Sequence, residues 1–451
     1  MSIHLQNAPV TLGDYRFTAR HAWLVLVCSM EQIIGAGLST LAGIIIPMIN
    51  LLLYSPLSPA MQGLAGAAGL TGIAIGSPII GALSDKYGYL FYFRLCPLII
   101  VAGSLIVFFT STIWWTIAGL FIVGVGVGGG YSLDSAYLSD LMPNKWKSTM
   151  IGVAKASSAL GFIGVALMCY IIVKVTDTAH IWPALSIIIA TMGAITFLMR
   201  IKWAQSPLWC LNHNNSQGAQ KAVDCFFNNK GVTYNPLVTE TYHQVGYLSL
   251  FKGENLKKVI FSGIPWACEG VGVYGVGVFL PVLVMSLGIE SSAVKGIFKI
   301  DDSIIITALI NTFILVGFIV GLFMLNRFSH LKMLVNGFLL ASAGLALVLA
   351  GYMMHLPAVV SLTGFLIFEF FLNVGPHLIT FIIPPHIFAP EQRAAGNGIA
   401  AFLGKAGAIA GVFIMPWLLT IGGMTLVLGV CIGVNIIGAS IGWIYGRKLY
   451  N

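Results

Sequence analysis

The stretch GALSDKYGYLFYFR, Gly81 to Arg94, places Asp85, Lys86 and Arg94 in a chain that is only 8% charged, directly after a long run with no charge at all. How those three charges read depends on what surrounds them. The chain has 451 residues, 58% of them hydrophobic and 52 of them glycine, with a mean hydropathy of +0.92. Soluble domains carry roughly 25% charged residues, so this chain could not fold in water without leaving oil exposed. The composition excludes a soluble globule and predicts a membrane protein.

A hydrocarbon core of ~30 Å takes about 20 apolar residues per helix, and twelve runs of at least that size repeat between short polar breaks. They cover 21–53, 61–83, 92–112, 114–139, 149–174, 181–201, 258–288, 303–325, 333–354, 357–385, 395–420 and 424–446. The first 20 residues are polar and no small-residue cleavage site follows the first run, so that run is expected to stay as a helix. The seven cysteines, 28, 96, 169, 210, 225, 268 and 431, lie mostly inside runs and form no CxxC pair. They argue for neither a disulfide framework nor a metal site, and no cofactor is expected.

Orientation follows from the basic residues. Only Lys174, Lys295 and Lys299 fall in loops after odd-numbered runs, and Lys155 and Lys405 fall inside runs. The rest cluster at the termini and in the other loops, which places both termini in the cytoplasm and the protein in the plasma membrane, the inner membrane of a bacterium. The net charge of +8 is then a topology signal, and no nucleic-acid partner is expected.

The longest polar segment divides the chain into an N-terminal six-helix bundle, 1–201, a cytoplasmic central loop, 202–257, and a C-terminal six-helix bundle, 258–451. Within the loop, GAQKAVDCFF reads as a short amphipathic helix. A six-plus-six chain invites a search for an internal repeat. After the eighth run, GLFMLNRFSHLK (321–332) stands where GALSDKYGYLFYFR stands after the second, with Asn326-Arg327 in place of Asp85-Lys86. SDLMPNKWKSTMIG after the fourth run has its counterpart in PPHIFAPEQRAAGNG after the tenth.

These residues carry a resemblance. GALSDKYGY resembles the signature between the second and third helices of the major facilitator superfamily, and GLFMLNRFSHLK its weaker second copy. The resemblance implies an all-α membrane protein with twelve transmembrane helices in two pseudo-symmetric six-helix bundles, a monomer working by alternating access. It also implies a cytoplasmic gate, carried here by Gly81, Asp85, Lys86, Gly88, Arg94, Asp140, Arg327 and Arg393. GVGVGGGYSLDSAYLSDLMPNKWK, QSPLWCL and Phe368 to Gly411 are similar to motifs of the sugar porter, phosphate:proton and metabolite:proton symporter branch. The chain departs from that branch at Leu120, where an arginine is usual. In the seventh run Trp266 and Tyr274 match the phosphate symporters, but Gly270 stands where they have aspartate.

An ionisable group at mid-bilayer costs at least ~2.5–3.5 kcal/mol on insertion scales unless it meets water or a partner, so each is a functional candidate. Glu31 and Glu269 occupy repeat-equivalent runs, as do Asp134 and Glu369, and Lys155 and Lys405. These are helices that, in the fold implied by the resemblance, line or flank a central cavity. Glu369, Asn373 and His377 follow i, i+4, i+8 spacing and share one helix face, and so do Trp266, Gly270 and Tyr274 with Glu269 at the edge. A polar stripe on an oily helix must turn away from lipid. Tyr131, Lys155, Trp266, Tyr274, Asn373, His377 and Lys405 are the expected substrate contacts, and Glu31, Glu269, Glu369 and Asp134 the expected proton-coupling groups. Plainer alternatives stand beside these: permanent ion pairs of Glu31 and Glu269 with Lys155 or Lys405, a gate or cap for Asp134, and interhelical hydrogen bonding for the stripe.

The function expected is secondary active transport of a small polar, anionic metabolite with protons, across the lipid bilayer in which the chain sits. A sugar or other neutral solute is the alternative, then export of a drug or siderophore, and a non-transporting receptor in another class. No nucleophile–base spacing or metal cluster suggests an enzyme.

Overall fold

The computed structural model describes residues 16–52, 56–110, 112–143, 145–176, 179–212, 215–227, 250–286, 297–325, 327–388 and 393–449. Among them the backbone is helical with no strand.

The opening stretch forms a turn of a single residue. Helix α2 (Pro59–Tyr87) begins on Ser58, whose Oγ accepts the Met61 N–H at 3.3 Å, with Pro59 in the first turn where its missing N–H costs nothing. It ends at Gly88, and α3 (Tyr89–Phe108) starts at the next residue. Gly88 has φ 106°, a conformation L side chains rarely adopt, so only glycine makes this reversal without strain. The Gln205 side chain lies against Gly88, and its Oε1 accepts the Leu90 N–H at 2.9 Å.

The other spans fall close to the apolar runs. They are α1 (Ala19–Leu52) and α4 (Ile113–Leu141), then α5 (Lys147–Ala156) with α6 (Ser158–Thr176) as a jogged fifth span. A 3₁₀ turn (Ala179–Leu185) leads into α7 (Ser186–Arg200). The central segment contributes α8 (Pro207–Asn212) and α9 (Ser216–Phe227), the latter covering the amphipathic stretch. Its apolar face, Ala219, Ala222, Val223, Phe226 and Phe227, is buried, and Arg20 donates to the Cys225 carbonyl at 3.1 Å and to the Phe226 carbonyl.

In the second half, α10 (Gly253–Gly270) passes through a π turn (Val271–Val276) into α11 (Gly277–Ser286). Then follow α12 (Ile297–Met324) and α13 (His330–Met353). The run expected as one tenth helix is two, α14 (Ala358–Val374) and α15 (Pro376–Ile387), separated by Gly375 with φ −112° and ψ −90°. Proline has no N–H to continue the ladder, which makes Pro376 a natural restart.

Among the described residues, eleven helical segments are long and apolar enough to cross a membrane, the last being Gly398–Leu449. The helix containing it, α16 (Arg393–Leu449), has 57 residues and would measure about 85 Å if straight, nearly three bilayer cores. It is broken at Gly423, with φ 58° and ψ −157°. Before the break, Gly404 lies against Trp266 and Gly411 against Val271; after it, Gly438 lies against Cys268 and Gly446 against Phe261. One arm climbs along α10 and the other descends it. Among the described residues the spans therefore number twelve, as the runs do.

Without a hydrophobic force between helices in lipid, close packing relies on small residues. The α2–α4 seam is built this way: a Cβ on Gly124 would strike the Gly69 carbonyl, and one on Gly128 the Ile73 carbonyl. The two halves touch on the face opposite Gly88, where Gly43 of α1 meets the Val278 carbonyl and Gly63 of α2 meets the Phe413 carbonyl.

Candidate functional site

The intramembrane charges sort into three groups. In the first half, Arg200 ends α7 fully buried and forks onto two carboxylates, with Nη1 at 3.0 Å from Glu31 Oε1 and Nη2 at 2.6 Å from Asp134 Oδ1. Nη1 also donates to the Phe93 carbonyl at 3.2 Å, and the guanidinium lies 3.9 Å from the Phe93 ring centroid. A planar fork of five donors suits this geometry as a lysine could not. Glu31 is 0% exposed and Asp134 3%, so one positive charge faces two acids out of water. The helices close around them: a Cβ on Gly130 would fall on the Glu31 carboxylate. Glu31 thus pairs with Arg200, and not with Lys155 or Lys405. Nothing in the spacing of charges announced Arg200, which sits at the end of a run where a basic residue usually reports only topology.

In the second half, Glu269, His377, Asn373 and Glu369 form a buried row. His377 Nε2 is 3.5 Å from Glu269 Oε1, beyond a good hydrogen bond but within ion-pair reach. His377 Nδ1 is 2.7 Å from Asn373 Oδ1, and Asn373 Nδ2 donates to the Glu369 carbonyl at 2.7 Å and to Glu369 Oε2 at 3.2 Å. All four side chains are at most 2% exposed. The stripe read from i, i+4, i+8 spacing survives the break at Gly375 because Asn373 and His377 still touch.

Between the groups stand the two lysines. Lys155, near the end of α5, is 3.5 Å from Gln32 Oε1, 4.7 Å from the Phe381 ring centroid and 6.0 Å from that of Tyr131. Lys405 of α16 lies 4.9 Å from the Tyr274 ring and 5.8 Å from the Tyr131 ring. Cations over aromatic faces gain about 0.5–2 kcal/mol, which helps hold an ammonium group away from water. No carboxylate among the described residues lies within 4.0 Å of either lysine. Both lysines act electrostatically on Glu269. Trp266 packs on Phe381 with ring centroids 4.7 Å apart, completing an aromatic wall that sequence reasoning had caught only through Trp266, Tyr274 and Tyr131. Gln32 and Phe381 were not anticipated, since neither carries a charge and no spacing ties them to the polar stripes.

The gate residues are placed less completely. The side chains of Asp85, Lys86, Asp140 and Arg393 lie outside the described part of the structure, and Arg327 is exposed. Gly81 lies beside Ser132 of α4. Arg94 donates to the Ile201 carbonyl at 2.5 Å and to the Trp203 carbonyl at 3.1 Å, fastening α3 to the end of α7 within the first half.

A family model described as Sugar (and other) transporter matches residues 28–445. The chain is 24% identical over 449 residues to the inner membrane metabolite transport protein YgcS of Escherichia coli (strain K12), covering 98% of this chain and 95% of the relative. It is 24% identical over 402 residues to a putative inorganic phosphate transporter 1-13 of Oryza sativa subsp. japonica, covering 82% and 78%. A solved structure of the xylose transporter XylE from E. coli, in a partially occluded inward open conformation, superposes with a TM-score of 0.78 at 16% identity, covering 94% of this chain and 98% of that one.

Proposed function

This chain belongs to the sugar (and other) transporter family of major facilitator membrane transporters, and from that premise we propose that it carries a small anionic metabolite by alternating access in symport with protons. The observation that carries the reading is the pair of lysines. Lys155 and Lys405 come from opposite halves, sit beside the same Tyr131 ring and have no carboxylate partner among the described residues. Two half-buried like charges repel, and an anion between them relieves that repulsion. Tyr131, Trp266 and Tyr274 supply the apolar walls, and Gln32 a polar contact.

Alternating access needs two faces that open in turn. The halves are in contact on the face opposite Gly88, through Gly43 with Val278 and Gly63 with Phe413. With the termini in the cytoplasm, this contact lies on the outer face and must part when that face opens. The buried carboxylates Glu31, Asp134, Glu269 and Glu369 are the groups available to couple protons to that movement.

A neutral sugar is the second reading, favoured by the family's own description and by the likeness to a xylose transporter. Protein reconstituted in liposomes with an imposed proton gradient separates the two. Uptake of a carboxylate or of phosphate that rises with an inward gradient supports the proposal; flux of sugars alone overturns the anion, and flux of none of them overturns symport.

A further inference from the structure

We propose that Glu269 and His377 together form the site that binds one transported proton, at the gap between Glu269 Oε1 and His377 Nε2, and that Asn373 and Glu369 are positioning residues that fix the imidazole tautomer. The inference rests on the symport reading and names the site within it.

The argument begins at Asn373. Its amide nitrogen faces two acceptors, the Glu369 carbonyl at 2.7 Å and Glu369 Oε2 at 3.2 Å. Turned over, the amide would set its own oxygen against both, so the orientation is fixed by partners. The atom that faces His377 Nδ1 at 2.7 Å is therefore Asn373 Oδ1, which only accepts. His377 Nδ1 must carry a hydrogen. A neutral imidazole then presents a lone pair at Nε2, and Nε2 faces Glu269 Oε1 at 3.5 Å.

A lone pair facing a carboxylate oxygen makes no hydrogen bond, and Glu269 Oε1 has no partner at hydrogen-bond distance. One added proton converts this gap into a bond, whether it rests on nitrogen or on oxygen. The balance is simple: an O–H bond of hydronium breaks on one side of the membrane, an N–H or O–H bond forms at the pair, and the same proton leaves to water on the other side. The distance of 3.5 Å is that of a site waiting for its proton.

The groups around the pair supply the coupling. Lys155 of α5 and Lys405 of α16 act on both Glu269 and His377, Tyr274 of the π turn acts on the same lysines and on Glu269, Glu369 lies behind Asn373 on α14, and the uncharged Phe318 ring of α12 lies tilted against the imidazole with centroids 4.9 Å apart. An anion bound to the lysines cancels the repulsion that an incoming proton would meet. By linkage each then favours the other, which is the requirement for symport.

The test needs no substrate. Full-length protein with nitrogen-15-labelled histidine rings is placed in lipid nanodiscs and followed through a pH titration. The expected spectrum contains, beside the Nδ1–H form that His386 owes to the Ile382 carbonyl at 2.7 Å, a second imidazole that is neutral with hydrogen on Nδ1 at high pH and doubly protonated at low pH. In Glu269→Gln its midpoint moves by about one pH unit or more. In Asn373→Leu the neutral form is free to move its hydrogen to Nε2. The signal altered in both variants identifies His377 even if His377→Gln does not fold. Absence of any imidazole whose Nδ1–H tautomer is lost in Asn373→Leu, or a midpoint of that imidazole indifferent to Glu269→Gln, overturns the assignment. Either failure leaves the liposome result standing, and absence of proton-driven flux would leave the tautomer result standing.

Discussion

Arg200 and Glu31 lie 169 positions apart in the chain and meet at 3.0 Å, where neither side chain is exposed. With Asp134 at 2.6 Å on the second fork of the guanidinium, three spans are tied at one buried point: α1, α4 and α7. A buried ion pair gives little net stability over a well-packed apolar substitute, yet removing one partner strands the others, typically at 3–5 kcal/mol.

Arg200→Met is therefore expected to lower stability by about 3–5 kcal/mol, because it leaves two carboxylates without a counterion. Thermal unfolding of detergent-solubilised protein measures this. Adding Glu31→Gln and Asp134→Asn to Arg200→Met should recover most of the loss; a triple variant no better than the single one would show that the charges are not what Arg200 contributes.

Gly130→Ala places a methyl where the Glu31 carboxylate sits. The expected cost is about 1–3 kcal/mol, as for other overpacked interiors. Gly164→Ala, with nothing within 4 Å of the added carbon, serves as the control. Equal melting temperatures for the two variants would count against the close approach.

Lys405→Ala and Lys155→Ala should each reduce uptake of an anionic substrate by about ten- to a hundredfold, from the ~1.5–3 kcal/mol carried by a hydrogen bond to a charged group. Neither variant should alter stability as Arg200→Met does, since no carboxylate among the described residues is in ion-pair contact with either lysine. Initial rates in liposomes provide the measure. Unchanged rates in both variants would place the substrate elsewhere.

Gly43→Leu pushes against the Val278 carbonyl across the seam between the halves. It should shift the population toward the conformation open on that face. Spin labels placed on α2 and α16 near Gly63 and Phe413 would then report a longer distance than in the unaltered protein; an unchanged distance distribution would mean that the seam is not a gate.

The fold was largely legible because lipid imposes a length on every crossing, and the twelve apolar runs met it. What composition could not reveal was how individual spans are interrupted. Gly375 divides the tenth span although FLNVGPH reads as continuous, and the π turn at Val271–Val276 showed itself only as closely spaced glycines. The site was legible in part for a similar reason. Glu369, Asn373 and His377 fall in one apolar run, where helical spacing predicts a shared face. Arg200 acts on residues 66 and 169 positions away, and such a meeting depends on tertiary packing that no local pattern encodes.

Gly423 also fixes a matter of parity. Without its φ of 58° the last 57-residue helix would count as one crossing, the total would be odd, and the Ala19 and Leu449 ends would look out on different compartments. A single corner makes the number even. A reporter fused before Ala19 and another fused after Leu449 must then answer to the same solution, so one labelling experiment reads both.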